Sequence, residues 1–114
     1  MAKFKYVHCK DGFGVSIQAS KTTYCEPRND LGPYTAVELG FPSASEPLII
    51  GYAEDKDSPT ETIYGWVPVG VVKALLIKHG GIESGTHPEF HMDTEQSTYL
   101  AETLEEISNE TMAS

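Results

Sequence analysis

Apolar and polar positions alternate in several short runs and change once to a helical period. Phe4, Tyr6 and His8 interleave with Lys5, Val7 and Cys9 over residues 3–9, the period of two that places neighbouring side chains on opposite faces of a strand. Asp11-Gly12 supplies the positive φ angles of a tight hairpin turn. Residues 13–19 then resume the alternation, with Val15, Ile17 and Ala19 on one side. A third strand is predicted over 34–41, where Thr35, Val37, Leu39 and Phe41 alternate with Ala36 and Glu38. A fourth is predicted over 47–52 (PLIIGY), a short apolar run suited to a buried strand.

The stretch from Thr60 to Gly81 organises the rest. Ile63, Gly65 and Val67 alternate with Thr62, Tyr64 and Trp66, which predicts a fifth strand over 61–67. Pro68 then opens a helix over 68–79 as its first residue. Val69, Val72, Leu75, Leu76 and His79 recur at helical spacing, so one face is expected to be buried, and Gly80 suits the left-handed position that ends a helix. Gly70 breaks the pattern. A glycine in the first turn is about 0.5–1 kcal/mol worse than alanine, so its presence calls for a close contact with the sheet, a partner or a ligand. After a linker over 82–92, Asp93 caps a second helix over 94–108 with Gln96 three residues on, and Leu100, Thr103, Leu104 and Ile107 form a narrow apolar stripe.

These elements define an α+β class: a mostly antiparallel sheet of about five strands packed by one central helix, with an acidic C-terminal helix. Residues 1–82 form the expected core domain and 83–114 an acidic linker and helix, docked or partner-binding. No apolar run approaches the roughly 20 residues of a membrane-spanning helix, and MAKFKYVHC lacks the apolar h-region of a signal peptide. A cytoplasmic protein with reduced Cys9 and Cys25 is therefore expected.

Charge changes the picture more than composition does. Residues 1–82 carry nine acids and eight bases, whereas residues 83–114 carry eight acids and no Lys or Arg. Such a segment repels nucleic acid, whose binding relies on Lys and Arg displacing counterions, and favours a basic surface on another protein. Glu95, Glu102, Glu105 and Glu106 are the candidate partner-binding residues. Glu105 and Glu106 also sit near the C-terminal end of their helix with no base four residues on, so the helix is expected to be marginal unless docked on its own sheet, on a second copy of the chain or on another protein.

The loop over 20–33 gathers the most varied chemistry. Arg28 can hold an anion bidentately while Tyr24 and Tyr34 stack on a ring. With Trp66 and Gly70 these residues form the candidate ligand site; the structural alternative is that Arg28 ties down the loop and the tyrosines fill the sheet edge. His87 and His91 have an H-x3-H spacing, but Pro88 lies between them and neither a zinc-finger nor a zinc-protease pattern is complete. Cys25 has no cysteine-enzyme signature around it. No catalytic residue, metal or cofactor is assigned.

The runs HCKDGFGVSIQAS, YCEPR, YTAVELGFPS and IYGWVPVGVVKALLIKHGG are similar in general character to small accessory proteins of bacteria and their phages. That resemblance implies an accessory or regulatory role and transfers no site residues. The leading expectation is a non-enzymatic binding protein that occupies another protein, with a phage-type inhibitor of a host nucleic-acid-binding or defence protein as its sharpest form. An oligomeric binder of an anion or nucleotide is the second expectation, and a metal- or thiol-dependent enzyme the third.

Overall fold

A computed structural model describes residues 3–113, with side chains described as far as Asn109. Five antiparallel strands form one sheet: β1 (Val7–Cys9), β2 (Gly14–Gln18), β3 (Ala36–Gly40), β4 (Ile63–Pro68) and β5 (Ile82–Ser84), in the spatial order β4-β3-β2-β1-β5. Helix α1 (Val69–Lys78) follows β4 without a connecting loop, and α2 (Thr94–Ala113) closes the chain. Among the described residues no helix is long and apolar enough to cross a membrane.

The α+β class and the five-strand antiparallel sheet are as expected, but one strand is a different segment. Residues 47–52 do not form a strand. The Glu46 carboxylate accepts the Leu48 N–H at 2.9 Å, the Glu46 carbonyl accepts the Ile49 and Ile50 N–H groups, and Pro47 fixes the intervening φ. The backbone therefore coils into a turn that ends in a 3-10 helix at Ile50–Tyr52, with only Ile49 fully buried. The fifth strand comes instead from the expected linker: Ile82 pairs with Cys9 and Ser84 with His8. Three residues are too few to show a period.

The first strand is shorter than its pattern. Ahead of Val7 the Gln18 side-chain amide takes over the pairing, accepting the Phe4 N–H at 3.1 Å and donating to the Phe4 carbonyl at 2.8 Å. Val7, Cys9, Val15, Ile17, Val37, Leu39, Tyr64 and Val67 supply the sheet's share of a single apolar cluster, which Val69, Val72 and Leu75 of α1 complete. Because Val71, Gly70 and Ala74 are buried as well, α1 is covered on more than the one face its stripe predicts.

The second cover is α2, and Gly70 marks where the two helices meet. A Cβ on Gly70 would stand 3.0 Å from the Gln96 carbonyl oxygen and 3.1 Å from the Gln96 Cβ. The Gln96 side chain satisfies two backbone groups at once: its Oε1 accepts the Gly70 N–H at 2.7 Å and its Nε2 donates to the Thr35 carbonyl at 3.0 Å. The Gly70 N–H belongs to the first turn of α1, where no partner exists within the helix.

At its other end α1 is held by a polar network built on the Lys78–Glu46 ion pair. Lys78 Nζ lies 2.5 Å from the buried Glu46 carboxylate, and the His79 ring lies 3.2 Å from Glu46 and 2.6 Å from Asp11 while stacking on Phe13. Burial alone would raise the Glu46 carboxyl, but Lys78, the Leu48 N–H and His79 together hold it below its ordinary value. The Phe13 N–H, and then His79, hold Asp11 low as well.

Two outcomes are expected. Gln96→Ala strands the Gly70 N–H and the Thr35 carbonyl and lowers stability by about 1–3 kcal/mol in chemical denaturation; an unchanged midpoint would mean that water replaces the amide. Folded-state values below the unfolded ones make the Asp11 and Glu46 contributions complete above the ordinary carboxylate range of about 4, and lost as pH falls through the lowered values. Asp11→Asn is therefore less stable than the parent at neutral pH, and the thermal midpoints converge in acid. A gap that stays constant down to pH of about 2 would refute the linkage.

Candidate functional site

One extra residue in β4 builds the most distinctive surface. Leu39 pairs with Tyr64 and Val37 with Val67, so the two residues Gly65 and Trp66 stand opposite the single residue Glu38. This bulge overturns the simple alternation read from the sequence: Tyr64 and Val67 both turn inward, three positions apart, and Trp66 turns outward with 52% of its surface exposed. Trp66 has φ +49°, a left-handed conformation worth roughly 1–2 kcal/mol of strain in a residue with a Cβ.

Three contacts hold that geometry. The Trp66 N–H donates to the Tyr24 carbonyl at 3.0 Å, the Tyr24 N–H donates to the Glu38 carboxylate at 3.0 Å, and the Tyr24 ring stacks on the indole with centroids 4.7 Å apart. Gly65 lies directly against the tyrosine, a Cβ there reaching ordinary contact with the Tyr24 Cβ at 3.4 Å. Arg28 extends the stack, its guanidinium carbon 5.9 Å from the Tyr24 centroid.

The aromatic surface continues past Trp66. A hollow of about 280 Å³ is lined by Tyr24, Tyr52, Ala53, Glu54, Gly65 and Trp66. Tyr52 also borders a second hollow of about 200 Å³, beside Pro68, Val71, Glu95 and Tyr99. Burial raises the Tyr52 phenol pKa, and the neighbouring Tyr99 raises it further. Glu95, Tyr99, Glu102 and Glu106 fall on one side of α2, because steps of four, seven and eleven residues return close to the starting direction of a 3.6-residue helix. Glu95, Glu102, Glu105 and Glu106 are all exposed. An acidic stripe thus runs from the aromatic surface along α2.

Of the five candidate ligand residues, the structure brings Tyr24, Arg28 and Trp66 together. Tyr34 is buried in the core, its hydroxyl donating to the Asn29 carbonyl at 2.8 Å. Gly70 is buried beneath α2, with its N–H taken by Gln96. Tyr52, Tyr99 and Glu54 belong to the surface as well, and no sequence motif marks them. Tyr52 lay in a segment predicted to be a strand, and Tyr99 differs from the buried stripe of α2 only by its side of the helix.

The remaining constellations have structural explanations. His87 stacks on Phe90 at 4.4 Å and its Nδ1 lies 2.6 Å from the Pro88 carbonyl, while the His91 N–H donates to the Tyr34 carbonyl. Among the described residues no group of three or more His, Cys, Asp or Glu side chains is placed to hold a metal ion. Cys9 and Cys25 are free and buried, and the Cys25 thiol donates to the Ser20 carbonyl at 3.1 Å. Burial raises the Cys9 thiol pKa, and Asp11 adds to the effect.

In sequence the chain matches no family model and no curated protein, and in fold it matches no solved structure.

The balance at Trp66 is testable. Trp66→Gly removes the left-handed strain of roughly 1–2 kcal/mol but forfeits a ring stack of about 0.5–1.5 kcal/mol together with the apolar burial of the covered half of the indole. Its stability in urea is expected to fall by about 1–2 kcal/mol. A loss several times larger would make the indole a structural keystone rather than a surface group.

Proposed function

We propose that the chain is a binding protein that occupies a basic surface on another protein, using the Trp66–Tyr52–Tyr99 surface as anchor and the acidic side of α2 as guide. The exposed, strained Trp66 carries this reading. A bulge at the edge of a sheet needs no tryptophan, and its left-handed residue is most easily glycine. Exposed Trp and Tyr with an adjacent Arg are also the residue types that dominate binding energy at protein interfaces.

The charge layout supports a basic partner. Glu54 borders the Trp66 hollow, Glu95 borders the Tyr99 hollow, and Glu102 and Glu106 continue along α2. Carboxylates at the rim of an aromatic patch steer encounter and reject acidic surfaces. A protein with a groove for nucleic acid presents the complementary charge, which keeps an inhibitor of such a protein as the most specific form of the proposal.

Hollow size favours a macromolecule over a small ligand. The two aromatic hollows, about 200 and 280 Å³, fall below the range of about 300–1,000 Å³ usual for small-molecule sites. A larger hollow of about 380 Å³ lies by Lys3, Gln18, Thr23 and Glu38, and none of the five candidate ligand residues lines it.

Affinity capture from bacterial lysate with the full chain tests the proposal. Trp66→Ala is expected to lower recovery of the captured protein at least about tenfold, the scale of an interface anchor worth about 1.4 kcal/mol or more. Replacing Glu95, Glu102, Glu105 and Glu106 together by Gln slows association and removes most of its salt dependence. Recovery unchanged by both variants would end the proposal. Removing α2 is not an informative control, because it uncovers Gly70 and the buried side of α1.

A further inference from the structure

Tyr24, Tyr52 and Trp66 put three aromatic rings around one hollow, and Glu54 stands at the same hollow. Aromatic faces attract cations through their quadrupole, tryptophan most strongly, and a carboxylate at the rim adds a direct charge. Among the described residues the close contacts between basic and acidic side chains are made by Lys78 and His79, and none of them involves Glu54. The turn beyond Glu54 adds Asp55 and Asp57 against Lys56, all exposed. The hollow is thus an aromatic site with one acidic residue, Glu54, in its lining and one base, Arg28, on the Tyr24 ring.

The protein contains its own example of what such a ring takes. Arg28 lies 5.9 Å from the Tyr24 centroid. The Tyr24 and Trp66 centroids are only 4.7 Å apart, which leaves no room for a guanidinium between them, so Arg28 caps the outside of the pair. The indole, covered by Tyr24 on one face and still 52% exposed, is the open end of the same stack.

Building on the surface reading above, we propose that the open face of Trp66, with Tyr52 and Glu54, seats the guanidinium of an arginine side chain on the partner. A guanidinium is planar, stacks on aromatic faces and sheds water more readily than an ammonium, so it suits a shallow hollow floored by an indole. An anionic group would meet Glu54. A neutral ring would bury that carboxylate without a partner.

Trp66 is the single tryptophan of the chain, so its fluorescence and indole N–H resonance report on this hollow without knowledge of the partner. The intact protein is titrated with three probes: N-acetyl-arginine N-methylamide, the matching citrulline derivative, which is its neutral near-isostere, and the matching lysine derivative. The arginine probe is expected to shift the indole signal saturably at millimolar concentration, the lysine probe more weakly, and the citrulline probe about fivefold more weakly, the scale of an exposed cation–π contact. Glu54→Gln is expected to weaken arginine binding about threefold or more and to leave the citrulline response unchanged. Equal responses to arginine and citrulline, or no response to arginine, would overturn the assignment, as would an arginine response indifferent to Glu54→Gln. The capture experiment separates this inference from its premise. If Trp66→Ala abolishes capture but arginine does not bind, the surface reading stands and the arginine anchor falls. If arginine binds as expected but capture is indifferent to Trp66→Ala, the anchor chemistry stands and the surface reading falls.

Discussion

One extra residue in β4 sets the geometry of the rest of the molecule. With Gly65 and Trp66 opposite Glu38, Tyr64 and Val67 both face the core, and the strand reaches Pro68 in the phase that makes Val69 the first core residue of α1. Since no loop intervenes between strand and helix, the helix cannot rotate independently of the strand that feeds it. A strict alternation through 63–67 would have turned either Tyr64 or Val67 outward. The bulge thus determines which face of α1 meets the sheet and, by exclusion, which side is left for α2.

That remaining side explains Gly70. Two helices approach closely only where one of them has little side chain, and here the meeting point also contains an N–H that the helix itself cannot satisfy. Gln96 meets both demands, with its backbone against the glycine and its amide between the Gly70 N–H and the Thr35 carbonyl. The Thr35 carbonyl also accepts the Val69 N–H at 3.0 Å, so the start of β3, the start of α1 and the first turns of α2 share one junction. An α2 rich in Glu, with no bases on it to compensate, has little helical stability of its own. Docking at this junction supplies what the sequence of the helix lacks, and it fixes the direction in which Glu95, Glu102 and Glu106 point.

Features with a local cause could be read from the chain. Period-two runs marked the hairpin of β1 and β2, and helical spacing with Pro68 and Gly80 bounded α1 to within a residue or two. Where a side chain substitutes for backbone pairing, the pattern misled. Gln18 completes the strand-like contacts of Phe4, and Glu46 coils a run that composition alone would extend. Ile82–Ser84 joins the sheet only because β1 offers it a free edge, a tertiary fact that three residues cannot encode. For the candidate site, Trp66, Tyr24 and Arg28 were recognisable by residue type, whereas Tyr34 and Gly70 differ from them only in burial. Tyr52 and Tyr99 become part of the surface through the turn after Glu46 and through the rotation of α2, neither of which has a sequence signature.

Gly70 and Trp66 both break the local rules of the elements they occupy, yet their explanations differ in kind. The glycine is accounted for inside the molecule: α2 takes the space a methyl group would fill, and Gln96 takes the N–H. Only half of the tryptophan is explained in this way. Its N–H is bound by Tyr24 and one ring face is covered, but a glycine in the same bulge would keep the hydrogen bond and remove the left-handed strain. What glycine would not supply is a large, half-exposed aromatic surface between two hollows edged by carboxylates. Backbone strain held at an exposed aromatic is the observation on which the proposed partner surface rests. At Trp66 the group available for use is the open face of the indole.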